Sequence, residues 1–188
     1  MRHKDGTIWW EATIGELARE NIERSLVLPD DYPLTAPHLR ATPEQIAEAE
    51  RRLGITFDDQ YRALLGTING WDGVIYNDVL LSTDELGQGP LWELAQETFG
   101  YLYEEGPLPG LPPRDELLPV LVSPTRSSIM AIWTGGPVTD GSHPVVWIAN
   151  ELIDQWPTVY EWVLALTVLL KESTVKIAEI RAAQRGQA

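Results

Sequence analysis

The sequence predicts an α+β protein in which a mainly antiparallel sheet is flanked by helices. Three observations predict this class. Segments with helical spacing of apolar residues occur near both ends of the chain, short apolar runs typical of strands occur between them, and the last of these runs are joined by short connections. With 188 residues, 44% of them hydrophobic, the chain suits one domain with additions better than two independent domains.

The first helix is predicted from Thr13 to Leu28. Thr13 and Glu16 have the spacing of a capping box, in which each side chain satisfies an otherwise unpaired amide at the helix start. Pro29 follows and leads into an irregular connection. We therefore treat residues 1–40 as an N-terminal extension with one helix. Its apolar stripe consists of Ile14, Leu17, Ala18, Ile22 and Leu26.

A helix, a tight turn and a second helix form the clearest pattern in the chain. Thr42-Pro43-Glu44-Gln45 combines an N-cap, a proline at the first helical position and an acceptor at the third. Gly54 follows at the position of a left-handed cap. Asp58 caps the second helix, which is predicted to reach Ile68. Asn69-Gly70 is predicted to stop it, because both residue types tolerate positive φ.

Short strands joined by turns are predicted from Trp71 to Leu81, where Val, Ile, Tyr and Leu lie among Asn and Asp. Gly89-Pro90 opens another helix, which Gly106 is predicted to end. Four prolines in residues 106–113 indicate a surface connector, because proline cannot join a helix interior or a central strand. Residues 89–114 thus form a helical and proline-rich insertion.

Three further strands and a closing helix are predicted in the last third of the chain. Short loops between the strands favour antiparallel hairpins. The closing helix begins near Thr158, and Glu161 has the spacing of a second capping box. The main domain then covers 41–172, and 173–188 form a helical or frayed tail. The predicted strands are Leu117–Val122, Ile129–Thr134 and Pro144–Ala149.

Composition restricts the function. Lys and Arg total 14 against 28 Asp and Glu, so the net charge is −14, which repels nucleic acids and anionic membranes and attracts basic partners. The same charge also serves solubility, and the sequence leaves both uses open. The chain has no Cys, no signal-peptide pattern and no long uninterrupted apolar stretch, so we expect a cytoplasmic protein.

Motifs for catalysis are absent from the sequence. His3, His38 and His143 are far apart, and none has the spacing of a zinc site. The sequence contains no nucleophile elbow, phosphate-binding loop or dinucleotide fingerprint. Adjacent carboxylates such as Asp58-Asp59 are explained more simply as helix-start charges. We expect a non-enzymatic protein with no catalytic residue, cofactor or metal.

Acidic and aromatic residues cluster directly after Asn69-Gly70. An aromatic ring beside a carboxylate is typical of an anchor for a partner's Arg or Lys. The alternative is a turn with Trp71 in the core, and the sequence does not decide between the two. The predicted partner-binding surface consists of Trp71, Asp72, Tyr76, Asp78, Asp84 and Glu85.

The run from Thr42 to Gly70 resembles the opening of the SUKH superfamily, which includes fungal cell-wall-synthesis regulators and bacterial immunity proteins. Weaker similarity continues to Leu170. The chain departs from the family at Asp58-Asp59, where a proline is usual, and at 124–128, which replace a glycine-rich turn. The matching positions are Ile46, Glu50, Leu53, Gly54, Tyr61, Leu65, Asn69 and Gly70.

The resemblance implies an α+β domain that binds another protein. In bacteria such proteins typically neutralise a cognate toxin, often a nuclease, in the cytoplasm. A nuclease site is basic, so an acidic protein can block it after fast, electrostatically steered association. We therefore expect a basic toxin domain as partner. An intracellular scaffold or regulator of the same fold is the alternative, and an enzyme with an unrecognised site is less favoured.

Overall fold

A computed structural model describes residues 1–104, 106 and 110–185. Within these residues, five α-helices accompany one six-stranded antiparallel sheet, which confirms the α+β class. The helices are α1 (Trp10–Val27), α2 (Pro43–Leu53), α3 (Asp59–Leu65), α4 (Gly89–Leu102) and α5 (Val159–Arg185). The strands are β1 (Trp71–Ile75), β2 (Asp78–Leu80), β3 (Leu117–Val122), β4 (Ile129–Trp133), β5 (Val145–Ile148) and β6 (Leu152–Trp156).

The sheet is a meander in which each strand pairs antiparallel with the next one in the chain. Three tight connections therefore lie at the same end of the sheet, which we call the hairpin end. They are the turns at 76–77, 123–128 and 149–151. The opposite end carries the long connection through α4 and the loop between β4 and β5.

Helices cover the sheet and close the core. All six residues of β3 are buried, which requires cover on both faces of the sheet. α4 packs on β3, and α5 packs on α1, α3 and β6. The fully buried Trp162 of α5 donates from its indole nitrogen to the Met130 sulfur at 3.1 Å.

Local hydrogen bonds build the helix–turn–helix unit as predicted. Thr42 and Gln45 form a complete capping box, and Gly54 adopts a left-handed cap with φ +71°. The Asp58 carboxylate accepts the Tyr61 amide at 2.7 Å. Glu50 spans the turn, because its carboxylate accepts the amide of Phe57 at 2.7 Å and also binds Arg62.

Asn69 and Gly70 connect the helical unit to the sheet. The Asn69 side-chain oxygen accepts the Thr83 amide at 2.7 Å. Gly70 has φ +94°, and a β-carbon there would lie 3.0 Å from the backbone nitrogen and β-carbon of Ser82. The pair therefore holds the turn after β2 against the end of the helical unit.

The predicted start of the first helix is wrong. α1 begins at Trp10, and Trp9 at its N-cap makes no side-chain cap. Thr13 lies inside the helix, where its hydroxyl donates to the Trp9 carbonyl at 2.9 Å. A helical Thr cannot adopt the extended conformation of a capping box. Trp10 instead packs edge-on against Tyr160, with ring centroids 6.1 Å apart.

Two predicted helix ends are also wrong. α3 ends at Leu65, and the amide of Ile68 bonds to the Leu64 carbonyl in a turn beyond the helix. Gly66, in the right-handed region at φ −68°, is its C-cap, so Asn69-Gly70 does not end this helix. α4 ends at Leu102 rather than at Gly106. Residues 107–109 of the predicted connector lie outside the described residues.

The three predicted strands of the last third are confirmed to within one residue at each end, but the sequence analysis missed β6. Thr158 caps α5, since its hydroxyl accepts the Glu161 amide at 3.1 Å. α5 continues without a break past Ser173 to Arg185. Thr174 is buried and Arg181 forms an ion pair with Asp31, so this segment packs on the N-terminal part of the chain.

We predict that Gly70→Ala lowers the free energy of unfolding by about 2–4 kcal/mol, because the new β-carbon combines positive φ with a contact against Ser82. The control is Gly100→Ala inside α4, where a β-carbon meets no atom within 4 Å. This substitution is expected to leave stability unchanged or to raise it by about 0.5–1 kcal/mol. Urea unfolding measures the stability of both variants. Equal effects would contradict the close packing of Gly70 against Ser82.

Candidate partner-binding surface

The structure divides the six predicted surface residues between the two ends of the β1–β2 hairpin. Trp71 pairs with Leu80 at one end, and Ile75 pairs with Asp78 at the other. These ends are about 13 Å apart at roughly 3.3 Å per residue. Tyr76 and Asp78 therefore lie together, whereas the other four residues form a separate group.

The separate group is only partly exposed. Trp71 is fully buried, and its indole nitrogen donates to the Thr35 hydroxyl at 3.0 Å, which is the core position that the sequence left open. The Glu85 carboxylate accepts from the amide and the hydroxyl of Ser82 at 2.7 Å each. Asp72 and Asp84 are exposed.

Tyr76 and Asp78 border a cleft of about 460 Å³ at the hairpin end. Its rim comes from the three turns of that end. Met130 and Trp147 line it from β4 and β5, where they are direct cross-strand partners. The lining residues are Ile75, Tyr76, Asn77, Asp78, Ser123, Thr125, Ser127, Ser128, Met130, Trp147, Ala149 and Ile153.

Asp78 supplies the cleft with a buried carboxylate. Burial raises the pKa of Asp78 from 3.8 to about 6, and a hydrogen bond with Ser123 offsets part of that rise. No Lys, Arg or His in the described part of the chain forms an ion pair with this carboxylate. Its charge is thus neither well solvated nor neutralised.

The turn between β3 and β4 contributes three hydroxyl groups to the rim. Ser123, Thr125 and Ser127 lie within 2.9–3.0 Å of one another. Arg126, with φ +58°, points away to Glu97 of α4. The resemblance to the SUKH superfamily predicts a glycine-rich turn at this position. Here, Ser and Thr side chains in the turn supply hydrogen-bonding groups to the cleft.

Sequence reasoning missed the apolar part of the cleft. Trp147 is half-buried, and its indole nitrogen has no hydrogen-bond partner among the described residues. Ile153 of β6 is 44% exposed. The high count of eight Trp was the available signal, because indole rings suit cores that open onto contact surfaces.

The histidines take part in separate contacts. His3 stacks on Trp9, the His38 Nε2 lies 3.4 Å from Asp72, and the His143 ring faces the Gly136 carbonyl. Within 1–104, 106 and 110–185, no group of three or more His, Asp and Glu is arranged to hold a metal ion. None of the helices in these ranges has the length and apolarity required to cross a membrane.

The α+β fold and its opening helix–turn–helix unit are those expected of the SUKH superfamily, whose members are known as protein-interaction modules. Within that class, the model of the SMI1 / KNR4 family (SUKH-1) matches residues 40–164. The match covers well over half of the chain, which therefore belongs to the SMI1 / KNR4 family. This confirms the resemblance noted in the sequence.

A solved structure is also similar to this chain. It is the crystal structure of a protein from Pseudomonas syringae pv. tomato, with 18% sequence identity and a TM-score of 0.44. The similarity covers 79% of this chain and 93% of that one. A comparison with curated proteins finds no match.

We predict that Asp78→Asn stabilises the protein, and more so at higher pH. The carboxyl has a pKa of 3.8 when unfolded and about 6 when folded. Between these two pKa values the Asp78 carboxyl is protonated in the folded state and ionised in the unfolded state. The free energy of unfolding therefore falls as the pH rises from 3.8 to about 6. The substitution should therefore raise the free energy of unfolding by about 2 kcal/mol more at pH 7.5 than at pH 4.5.

Urea unfolding at the two pH values measures this difference. Asp84→Asn is the matched control, since it removes an exposed carboxylate and should change stability equally little at both. A gain from Asp78→Asn that is the same at pH 4.5 and pH 7.5 would show that burial does not perturb this group.

Proposed function

We propose that this protein is an immunity protein, a non-enzymatic binding module that neutralises a basic, nuclease-type toxin domain in the cytoplasm. The observation that carries the proposal is the Asp78 carboxylate, which lies buried in an apolar cleft and forms no ion pair with any residue that the structure describes. A perturbed carboxyl in a cleft is a candidate functional group. A Lys or Arg of a partner would supply the missing positive charge.

The remainder of the cleft suits such a side chain. The methylene groups of a Lys or Arg can pack on Met130, Trp147 and Ile153 while the charged end reaches Asp78. The hydroxyls of Ser123 and Thr125 supply polar groups for the partner's backbone. An anchor in a desolvated pocket surrounded by polar groups is the usual form of a binding hot spot.

Charge and family support a toxin as the partner. A net charge of −14 accelerates the encounter with a basic domain. The SUKH superfamily includes bacterial proteins that bind and neutralise a cognate toxin, often a nuclease. A nuclease must expose basic residues to bind phosphates, and those residues are what the acidic cleft would engage.

The exposed carboxylates Asp72 and Asp84, with Glu85, form a second candidate contact at the other end of the β1–β2 hairpin. Only one end needs to face the toxin, and the two ends are separable by mutation. Asp72→Lys with Asp84→Lys reverses the charge at one end and leaves the cleft unchanged. If this double variant loses the partner while Asp78→Asn keeps it, the contact lies at that end.

The decisive experiment uses the protein that affinity capture from the native host identifies as the partner, expressed as its isolated toxin domain. Asp78→Asn and Ile153→Asp should each weaken its binding at least about 30-fold, because each removes an anchor in the cleft. Glu23→Gln, which neutralises an exposed acid of α1, should change the affinity less than about twofold. Calorimetry measures affinity, and growth of cells that express the toxin measures neutralisation.

A toxin that binds but remains active would contradict the immunity role, and one that does not bind would remove the toxin as partner.

We further predict that association slows at least about tenfold between low and physiological ionic strength. A rate that does not depend on salt would favour the scaffold alternative, in which the acidity serves solubility. Stopped-flow fluorescence of the tryptophans gives this rate.

A further inference from the structure

Among the described residues, Arg24 is a buried cation whose side chain makes no hydrogen bond. It lies in the last turn of α1 and is only 2% exposed. Its guanidinium carbon is 3.5 Å from the ring centroid of Tyr32 and 4.8 Å from that of Tyr76. None of its three side-chain nitrogens has a partner among the described residues.

Nothing in the described part of the chain neutralises this charge. Glu20, one turn earlier on α1, pairs with Arg19 at 2.9 Å instead. The two tyrosine rings attract the cation but do not satisfy the five N–H groups of a guanidinium. A buried charge that lacks both a counter-ion and hydrogen bonds is strongly unfavourable, so a bound group that accepts its N–H bonds would stabilise the protein.

A small cavity of about 30 Å³ opens beside this guanidinium. Its polar walls include the side chains of Asn21, Thr35 and Asn77, and Leu170 contributes an apolar side. The volume is enough for one or two species of the size of water. It is too small for sulfate, phosphate or a nucleotide.

We propose that this cavity is a binding site for one halide-sized anion, chloride under ordinary conditions. A chloride ion neutralises the guanidinium and accepts several N–H bonds at once, whereas a water molecule leaves the charge uncompensated. Its large radius and weak hydration also suit a site with aromatic and aliphatic walls. The long-range field of a protein of charge −14 repels anions, so the affinity comes from the local cation.

The anion would join three segments that are distant in the chain. Arg24 comes from α1, Tyr32 from the connection after it, and Tyr76 from the turn between β1 and β2. A ligand that binds only the folded state stabilises it by mass action. Chloride is therefore expected to raise the melting temperature specifically, beyond the effect of ionic strength.

Crystals grown in sodium bromide test the site directly. We expect an anomalous peak at hydrogen-bonding distance from the Arg24 guanidinium. Density for water without an anomalous signal, or a peak elsewhere only, would overturn the proposal. Bromide is a suitable probe because it differs little from chloride in size and charge.

Thermal unfolding in sodium chloride and in sodium gluconate at equal ionic strength supplies the second test. The comparison is needed because any salt screens the repulsion among acidic groups. We expect a melting temperature about 2–4 °C higher in chloride. Arg24→Met should abolish the difference, and Arg19→Met, which removes an exposed cation from the same helix, should retain it.

Identical melting temperatures in the two salts would overturn the proposal that chloride binds beside Arg24. If Arg24→Met does not fold, the wild-type comparison and the bromide crystals still decide the question. Arg24→Lys then serves as the variant, because it keeps the charge but loses the guanidinium fork, and it should reduce the difference between the two salts.

Discussion

The placement of β1, which carries one side of the cleft, depends on the contact between Asn69-Gly70 and the turn after β2. The Asn69 oxygen binds the Thr83 amide, Gly70 packs against Ser82 with no room for a side chain, and the Gly70 carbonyl accepts the His38 amide at 2.9 Å. β1 begins at the next residue, so this contact sets its position beside β2. The position of Tyr76 at the far end of β1 follows from it.

The caps of α2 and α3 were predicted correctly because sequence neighbours satisfy them, whereas the start of α1 and the strand β6 depend on distant contacts and were not predicted. The caps at Thr42 and Asp58 bond to residues three positions away. Thr13 and Glu16 have the same three-residue spacing, but α1 begins at Trp10, which packs on Tyr160, so Thr13 lies inside the helix. β6 was missed because this edge strand carries Asp154 and exposes its middle residues, so its conformation comes from pairing with β5.

The candidate site was predicted in part for a similar reason. Tyr76 and Asp78 are close in sequence and share one turn, whereas Met130, Trp147 and Ile153 meet only once the strand order is known. Adjacency to a carboxylate also left the position of Trp71 open between surface and core. Successive side chains of a strand point to opposite faces, so an exposed Asp72 places Trp71 on the buried face.

Three unfavourable features meet around the turn between β1 and β2. Asp78 is a buried anion, Arg24 is a buried cation, and Tyr76 has φ +51°, which costs on the order of 1 kcal/mol for a residue other than glycine. A glycine at position 76 would relax the backbone but would remove the ring that covers Arg24 and borders the cleft. Stability alone would select against all three, and violations of local rules concentrate at functional sites. Their common location therefore supports the proposal that a partner binds at the hairpin end rather than at the opposite end with Asp72 and Asp84.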